Sequence, residues 1–207
     1  MDAYPEVEGK IAICLQSSIV AKEMAVSELG VGEDLTFSLF GWLGQDMKVI
    51  STLSKEVMAE EPEKRLEKTA LAATVMRKGW KCDSITFVAE AFCSLDQKAT
   101  MGRDLRAMFA KPNSPVYECL TVTHVERGSV MLVTQPYKVG LGRKVEWMNT
   151  LVNLDAKGLR DAKYPAIFEE ILKMEAPDYD DVDIQAFHDA LAEGMAKDGF
   201  YFQWTFD

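Results

Sequence analysis

The strongest structural signal in the sequence is the segment Ser84-Ile85-Thr86-Phe87-Val88-Ala89-Glu90-Ala91-Phe92. In an extended strand, alternate residues point to opposite sides, and here both sets are largely apolar. A strand with two apolar faces is typical of the middle of a sheet that is covered on both sides. The segment therefore predicts a central strand with other elements packed above and below it.

A helix, a hairpin and a second helix precede this strand. Apolar residues recur at helical spacing from Lys10 to Leu29. Alternating residues on both sides of Gly44-Gln45-Asp46 predict a β-hairpin. The second helix runs from Pro62 to Gly79, because proline favours the first helical position and glycine the end.

Strands dominate the sequence that follows. Val116–Val125 and Val130–Tyr137 alternate on both sides of the turn at Arg127-Gly128, and Val139–Asn149 predicts another short strand. The order α-β-β-α-β-β-β favours an α+β fold with a mixed or mainly antiparallel sheet over repeated βαβ units. The predicted core includes the following apolar residues: Ile85, Phe87, Ala89, Leu120, Val122, Met131 and Val133.

The C-terminal quarter of the sequence predicts two short helices, Pro165–Met174 and Asp183–Lys197, followed by an aromatic strand. We therefore divide the chain into an α+β core domain, residues 1–154, and a C-terminal helical extension, residues 155–207, packed on it. The aromatic residues of the tail share one strand face: Phe200, Phe202, Trp204 and Phe206. Such a face docks on its own sheet or contacts a second copy in a homodimer.

The charge and hydropathy of the chain exclude several classes of protein. Of its 207 residues 33 are acidic and 23 are basic, for a net charge of −10. Nucleic-acid binders use clustered Lys and Arg, so we expect no direct nucleic-acid binding. We see no signal peptide, and no apolar run approaches the ~20 residues of a membrane helix. These features predict a cytoplasmic protein without membrane contact.

Standard catalytic and cofactor motifs are missing from the sequence. It contains no P-loop, no nucleophile elbow and no HExxH zinc motif, and Gly140-Leu141-Gly142 lacks the third glycine of a dinucleotide-binding loop. His124 and His188 have no ligand residue at metal spacing. The acidic run Asp178–Asp183 fits a helix cap better than a calcium loop. We therefore expect no cofactor and no metal.

Three polar residues on predicted strands leave an enzymatic alternative open. Glu90 lies within an apolar strand, where a carboxylate is costly unless it is paired. Glu118 and His124 share one face of a later strand, so a cluster of the three residues could perform acid–base chemistry in a hydrolase or nuclease. The structural alternative is a salt bridge from Glu90 to one of three cations: Arg127, Arg143 or Lys144.

The insertion Leu95–Pro115 predicts a partner-binding segment, because two neighbouring strands do not need so long a connection. Its positive charge contrasts with the acidic chain, and its apolar residues recur at helical spacing. The alternative is a helix that only caps the sheet. The predicted contact residues are Lys98, Met101, Arg103, Leu105, Arg106, Met108 and Phe109, beside the additional cation Lys111.

The blocks Ile85–Phe92 and Val116–Val122, with the turn at Arg127-Gly128 and the strand Met131–Tyr137, resemble a set of uncharacterised small α+β proteins of bacteria and their phages. The resemblance covers Leu35–Asn149 and implies a phage-encoded origin, hence the host cytoplasm, but no activity. The order of elements also resembles profilin-like and roadblock-like domains, which implies a dimerising scaffold as an alternative. We expect a non-catalytic protein that contacts a macromolecular partner or sequesters a small ligand.

Overall fold

The computed structural model describes residues 9–28, 35, 37–94, 104–109, 113–140, 142–154, 162–179 and 183–204. The helices in these ranges are α1 (Gly9–Glu28), α2 (Lys55–Met58), α3 (Pro62–Gly79), α4 (Leu105–Phe109), α5 (Lys163–Lys173) and α6 (Ile184–Ala196). The strands are β1 (Ser38–Leu43), β2 (Asp46–Leu53), β3 (Ser84–Ser94), β4 (Val116–Glu126), β5 (Ser129–Gly140), β6 (Lys144–Trp147), β7 (Leu151–Leu154) and β8 (Phe200–Trp204).

These strands form one sheet, and every pairing between them is antiparallel. The strand order is β6-β5-β4-β3-β1-β2-β8. β7 also pairs with β5, at residues 131–134, whereas β6 pairs with residues 137–140 of the same strand. The segment that begins at Ser84 forms β3, which lies between β1 and β4 as predicted for a central strand. The α+β class with a mainly antiparallel sheet is confirmed.

Helices cover both faces of the sheet. One face is covered by α1, whose buried residues recur at helical spacing: Ile11, Cys14, Leu15, Ser18, Ile19, Lys22 and Val26. The other face is covered by α3, α5 and α6, which pack on it through a core rich in aromatic side chains. The sheet is therefore the middle of three layers, and both faces of β3 are buried from Ser84 to Val88, where helices pack on each side.

Most of the predicted core residues are fully buried. Ile85, Phe87, Leu120, Val122 and Val133 are at most 8% exposed. Ala89 and Met131 are only partly buried and pack at the edges of the two cores. The alternation of apolar residues therefore predicts burial correctly for five of the seven residues, and the other two are partly buried.

The aromatic tail docks on its own chain. β8 pairs with β2, and Phe200 and Phe202 are buried in the core beneath α3 and α6. Trp204 packs against the same core, and Phe206 lies outside the described residues. Because Phe200 and Phe202 point into the protein, these two side chains are not exposed to a second copy, and their prediction as oligomer contacts is corrected here.

The short strand predicted within Val139–Asn149 is present as β6, but the residues before it form a reversal of the chain and not the start of that strand. Val139 and Gly140 end β5, and β6 returns beside them from Lys144. Gly142 and Arg143 in the turn both have positive φ, of 78° and 57°. Consecutive positive φ angles are typical of the tight turn of a hairpin, so the glycines that suggest the start of a strand in fact reverse the chain.

Candidate functional site

A cavity of about 750 Å³ opens where β1 and β3 part. The pairing of β1 with β3 ends at Ser38 and Val88, whereas β3 continues to Ser94 beside β4. Leu35 and Phe37, before β1, form the opposite wall. The cavity therefore exists because β3 extends beyond the last residue that pairs with β1.

Side chains from several elements line this cavity. The apolar part of the lining comprises Leu35, Phe37, Met58, Ala59, Ala89, Ala91 and Phe92. The charged and polar part comprises Lys55, Arg65, Glu90, Arg106, Glu118 and Tyr137. The volume lies within the range of about 300–1,000 Å³ that is usual for small-molecule sites.

Glu90 is held at the cavity wall by three donors. The Lys22 Nζ lies 2.6 Å from Glu90 Oε1, and the two side chains are only 3% and 11% exposed. The Tyr137 hydroxyl donates to Oε1 at 2.8 Å, and the Leu35 amide donates to Oε2 at 2.8 Å. Both carboxylate oxygens are therefore bound, and the charge of Glu90 is compensated within the protein.

The salt bridge from Lys22 also fixes the position of α1 on the sheet. At the other end of the helix, Lys10 Nζ donates to Ser84 Oγ at 2.8 Å. Lys22 is 12 residue steps along the helix from Lys10, a rise of about 18 Å, and Glu90 is 6 residue steps along the strand from Ser84, an extension of about 20 Å. The two spacings match, so α1 runs along β3 and is bound to it at both ends.

The predicted partner of Glu90 was wrong. Arg127 donates from Nε to the Leu172 carbonyl at 3.0 Å, and Arg143 and Lys144 lie at the turn between β5 and β6. Glu90 faces the α1 layer, and the cation comes from that layer. The helical spacing indicates that Lys22 is buried, because it falls in the same series as Leu15, Ile19 and Val26, but it does not identify Glu90 as its partner.

Three cations on separate helices surround the cavity. Lys55 belongs to α2, Arg65 to α3 and Arg106 to α4. The Arg65 Nη1 donates to the Met58 carbonyl at 2.9 Å, which orients its guanidinium along the wall. Since Glu90 is paired with Lys22, Glu118 is the remaining acid of the described lining, and the wall has an excess of positive charge.

The described part of the predicted partner-binding insertion borders this cavity. Lys98, Met101, Arg103 and Lys111 lie outside the described residues. Within α4, Arg106 lines the cavity, and the Phe109 ring packs on that of Phe92 with centroids 5.0 Å apart. Leu105 and Met108 are half-buried. The insertion therefore contributes α4 to the cavity wall beside β3.

The three residues of the enzymatic alternative do not form one cluster. Glu90 and Glu118 both line the cavity, and they are diagonal neighbours because Glu118 pairs with Phe92. His124 pairs with Thr86, four residues along β3 from Glu90, a distance of about 13 Å. The imidazole therefore lies too far away for proton transfer with these carboxylates, and the proposed Glu90, Glu118 and His124 site is corrected.

His124 instead belongs to a buried hydrogen-bonded chain under α1. The Trp42 Nε1 donates to Thr86 Oγ1 at 3.0 Å, and the Thr86 hydroxyl lies 2.7 Å from His124 Nδ1. Because the indole can only donate, the hydroxyl proton is directed at the imidazole, which accepts it in its neutral form. Burial, reinforced by the nearby Lys10 ammonium, lowers the pKa of His124 to about 4.

The four cysteines are free thiols in two kinds of environment. Burial raises the pKa of Cys14 and of Cys82 to about 12. Cys93 and Cys119 are diagonal neighbours on β3 and β4. A hydrogen bond from the Cys119 thiol lowers the pKa of Cys93, and the same bond together with burial raises the pKa of Cys119. Cys93 is therefore the one cysteine of the four whose pKa is lowered, and it is half-buried.

Lys22, Lys55, Arg65 and Tyr137 complete the site and were missed by the sequence analysis. Arg65 follows the predicted start of α3 by three residues, and nothing in the local sequence distinguishes it from a solvent-exposed helical cation. Tyr137 was read only as the end of a strand. These residues come together because of the strand order and the positions of three helices on the sheet. Local periodicity in the sequence predicts neither of these.

In the part of the chain that the structure describes, no three His, Cys, Asp or Glu side chains lie close enough together to hold a metal ion. None of the helices within it combines the length and apolar character required to cross a bilayer.

Comparisons with protein-family models, with curated proteins and with solved structures give no significant match to this chain. Inference about its function therefore depends on the geometry and electrostatics of the cavity.

Proposed function

We propose that this protein binds a small molecule with an anionic group and an apolar body, without converting it. The observation that carries the proposal is the set of three cations around a cavity with apolar side chains on its floor, in a chain of net charge −10. A concave site with an apolar lining and a few convergent polar groups is the usual form of a ligand pocket.

The charged end of the ligand is matched by Arg65 and Arg106. A guanidinium presents several N–H donors in one plane, an arrangement that fits a carboxylate or phosphate. The two arginines come from α3 and α4, so an anion between them would be held from two sides. Lys55 adds a third positive charge to the same lining.

The apolar end of the ligand is matched by the floor of the cavity. Ala89 and Ala91 of β3 present small side chains on one side of the strand, and Phe37 and Met58 also line the cavity. Small residues on a strand leave room above the sheet, and the larger neighbours provide contact area at the sides. A short alkyl chain or a single aromatic ring has the dimensions and polarity for this space.

Binding is favoured over catalysis because Glu90, a carboxylate at the cavity wall, is already engaged by groups of the protein. Glu90 accepts from Lys22, Tyr137 and Leu35, and this pairing opposes its use as a proton acceptor for a ligand. His124 lies on β4 but is buried away from the cavity, beside Thr86. The network instead supports a rigid wall, which reduces the entropy cost of binding.

The proposal is tested with three probes that differ only in charge: 4-phenylbutyrate, 4-phenylbutanol and 4-phenylbutylamine. Isothermal titration calorimetry on the full chain should give a dissociation constant of about 0.1–1 mM for the anion, as expected for a ligand of this size. The alcohol should bind roughly tenfold more weakly, and the amine should not bind. Equal affinity for all three probes, or binding of none, contradicts the proposal.

Two neutralising variants locate the anion. Arg65→Gln and Arg106→Gln should each weaken 4-phenylbutyrate binding by roughly tenfold, because each removes a charge-assisted hydrogen bond. Lys78→Gln is the matched control, since it removes one positive charge from the far end of α3 without touching the cavity. An equal loss of affinity in Lys78→Gln would assign the effect to net charge and not to this site.

A further inference from the structure

Two of the four free cysteines lie side by side at one end of the central strand pair. Cys93 is the last residue but one of β3, and Cys119 is the fourth residue of β4. In the register of these strands Cys93 pairs with Tyr117 and Cys119 pairs with Ala91, so the two cysteines are diagonal neighbours on one face of the sheet. The fold therefore brings together two thiols from separate strands.

The sulfur atom of Cys119 reaches across to β3. It lies 3.4 Å from the carbonyl oxygen of Ala91, to which the thiol donates. The Cys93 sulfur is a second acceptor for the same thiol proton, and this hydrogen bond lowers the pKa of Cys93 while it raises the pKa of Cys119. The two side chains are therefore neighbours within hydrogen-bond reach, Cys119 as the donor and Cys93 as the acceptor.

The cysteines differ in their exposure. Cys93 is half-buried, whereas Cys119 is 1% exposed and both Cys14 and Cys82 are completely buried. An oxidant in solution therefore reaches Cys93 before it reaches another cysteine of this chain. The reactive form of a cysteine is its thiolate, which the hydrogen bond from Cys119 stabilises at Cys93.

We propose that Cys93 and Cys119 form a reversible disulfide when the protein is exposed to hydrogen peroxide. The Cys93 thiolate attacks one peroxide oxygen, so that an S–O bond forms, the O–O bond breaks, and the released hydroxide takes up a proton to become water. The Cys119 sulfur then attacks the sulfur of this sulfenic acid. An S–S bond forms, the S–O bond breaks, and the hydroxide leaves as water with the proton of Cys119. The two thiols are oxidised, and the peroxide is reduced to water.

The first step prepares the second. The hydrogen bond to Cys93, burial and the negative charge of the Cys93 thiolate all raise the pKa of Cys119. A sulfenic acid carries no charge, so its formation removes the repulsion that opposes ionisation of Cys119. Each cysteine therefore has one role: Cys93 reacts with the peroxide, and Cys119 closes the disulfide.

The position at the end of the strand pair allows the bond to close. Diagonal neighbours in an antiparallel sheet have Cα atoms about 7–8 Å apart and a disulfide needs about 4.4–6.8 Å, so the strands must approach by about 1 Å. The pairing of β3 with β4 ends one residue beyond Cys93, at Ser94 and Val116, so this shift disturbs few hydrogen bonds. A disulfide that forms under such strain is readily reduced, as a reversible modification requires.

The proposal is tested by intact mass spectrometry of the full, folded chain after treatment with hydrogen peroxide. The wild-type protein should lose about 2 Da and regain this mass with dithiothreitol. Cys119→Ser should perform the first step without the second, so it should accumulate a sulfenic acid at Cys93 that dimedone traps. Cys93→Ser should give neither product.

Cys82→Ala is the matched control, because it removes a buried thiol of the same chain and leaves the pair intact. It should lose about 2 Da like the wild type. Fragmentation of the oxidised wild-type chain identifies the linked cysteines directly, so the result does not depend on the folding of any variant. The proposal is overturned if the wild-type chain does not react, if it gains oxygen without this loss of mass, or if the disulfide joins other cysteines or two chains.

Discussion

The two faces of the sheet use polar groups differently. Under α3, α5 and α6 the core is aromatic and aliphatic, and two buried polar side chains there bind main-chain carbonyls. Arg77 donates to the carbonyls of Met174 and Cys82, and His188 binds that of Gly79. Under α1, by contrast, polar side chains of the helix pair with polar side chains of the sheet, as Lys22 does with Glu90.

This difference follows from the number of helices on each face. Three helices fix one another by packing, so the sheet below them needs no directional contacts to set their positions. A single helix on a sheet can slide or rotate over apolar side chains at little cost. Contacts such as Lys10 with Ser84 and Glu23 with Trp147 give α1 one position and one direction. Polar pairs thus provide specificity where packing alone does not.

The largest expected effect is on the three-helix face. Phe168 of α5 is fully buried and packs edge-on against Phe87 with ring centroids 5.3 Å apart. Phe168→Ala should lower the free energy of unfolding by about 3–5 kcal/mol, because it leaves a cavity in a closely packed core. Urea unfolding measures the loss. Phe109→Ala makes the same truncation at a side chain that is 41% exposed, and should cost less than about 1 kcal/mol.

A smaller loss is expected when the ion pair under α1 is broken. Lys22→Met should lower the free energy of unfolding by about 2–3 kcal/mol, because Glu90 then lacks its counter-ion in a mostly buried position. The double variant Lys22→Met/Glu90→Gln should recover most of this loss, since the neutral amide oxygen can accept from the Leu35 amide while the amide nitrogen donates to the Tyr137 hydroxyl oxygen. If the double variant is as unstable as the single one, the unpaired charge is not the cause.

The smallest expected effect is a pH dependence that also belongs to the α1 face. The pKa of His124 is about 4 in the folded protein against 6.5 ordinarily, so below pH 6.5 the unfolded chain binds a proton that the folded chain does not. Stability should therefore fall as the pH drops from 6.5 towards 4, by about 1 kcal/mol between pH 7 and pH 5.5. Urea unfolding of His124→Gln should lack this decrease; an identical decrease in the variant would assign it to other groups.

The sequence predicted most of the fold because each element carries its own local signal. The bounds of α3 follow from Pro62 and Gly79, and Asp183 caps α6 by accepting from the Ala186 amide at 3.1 Å. The tight reversal after Gly140 was missed because Arg143 adopts positive φ without being a glycine. β7 was missed because Leu151–Leu154 is too short to show an alternating pattern.

The site was predicted only in part, because it depends on contacts between distant segments. Glu90 and Arg106 were singled out, one as a costly carboxylate and the other as a cation in a long insertion. Glu90 and Arg106 line one cavity together with Arg65. This arrangement depends on the strand order, which places β3 between β4 and β1. The partner of Glu90 lies 68 residues away on α1, and no local pattern records such a pairing.

The pairing of β8 with β2 has a consequence for synthesis on the ribosome. Val49 lies opposite Trp204 and Leu53 opposite Phe200, so the two strands are separated by about 150 residues of chain. At ordinary translation rates, about 8–30 s pass between the synthesis of β2 and the synthesis of β8. During this interval the nascent chain presents an open strand edge and an uncovered apolar surface at Leu53, both of which favour aggregation. The aromatic tail closes that edge last.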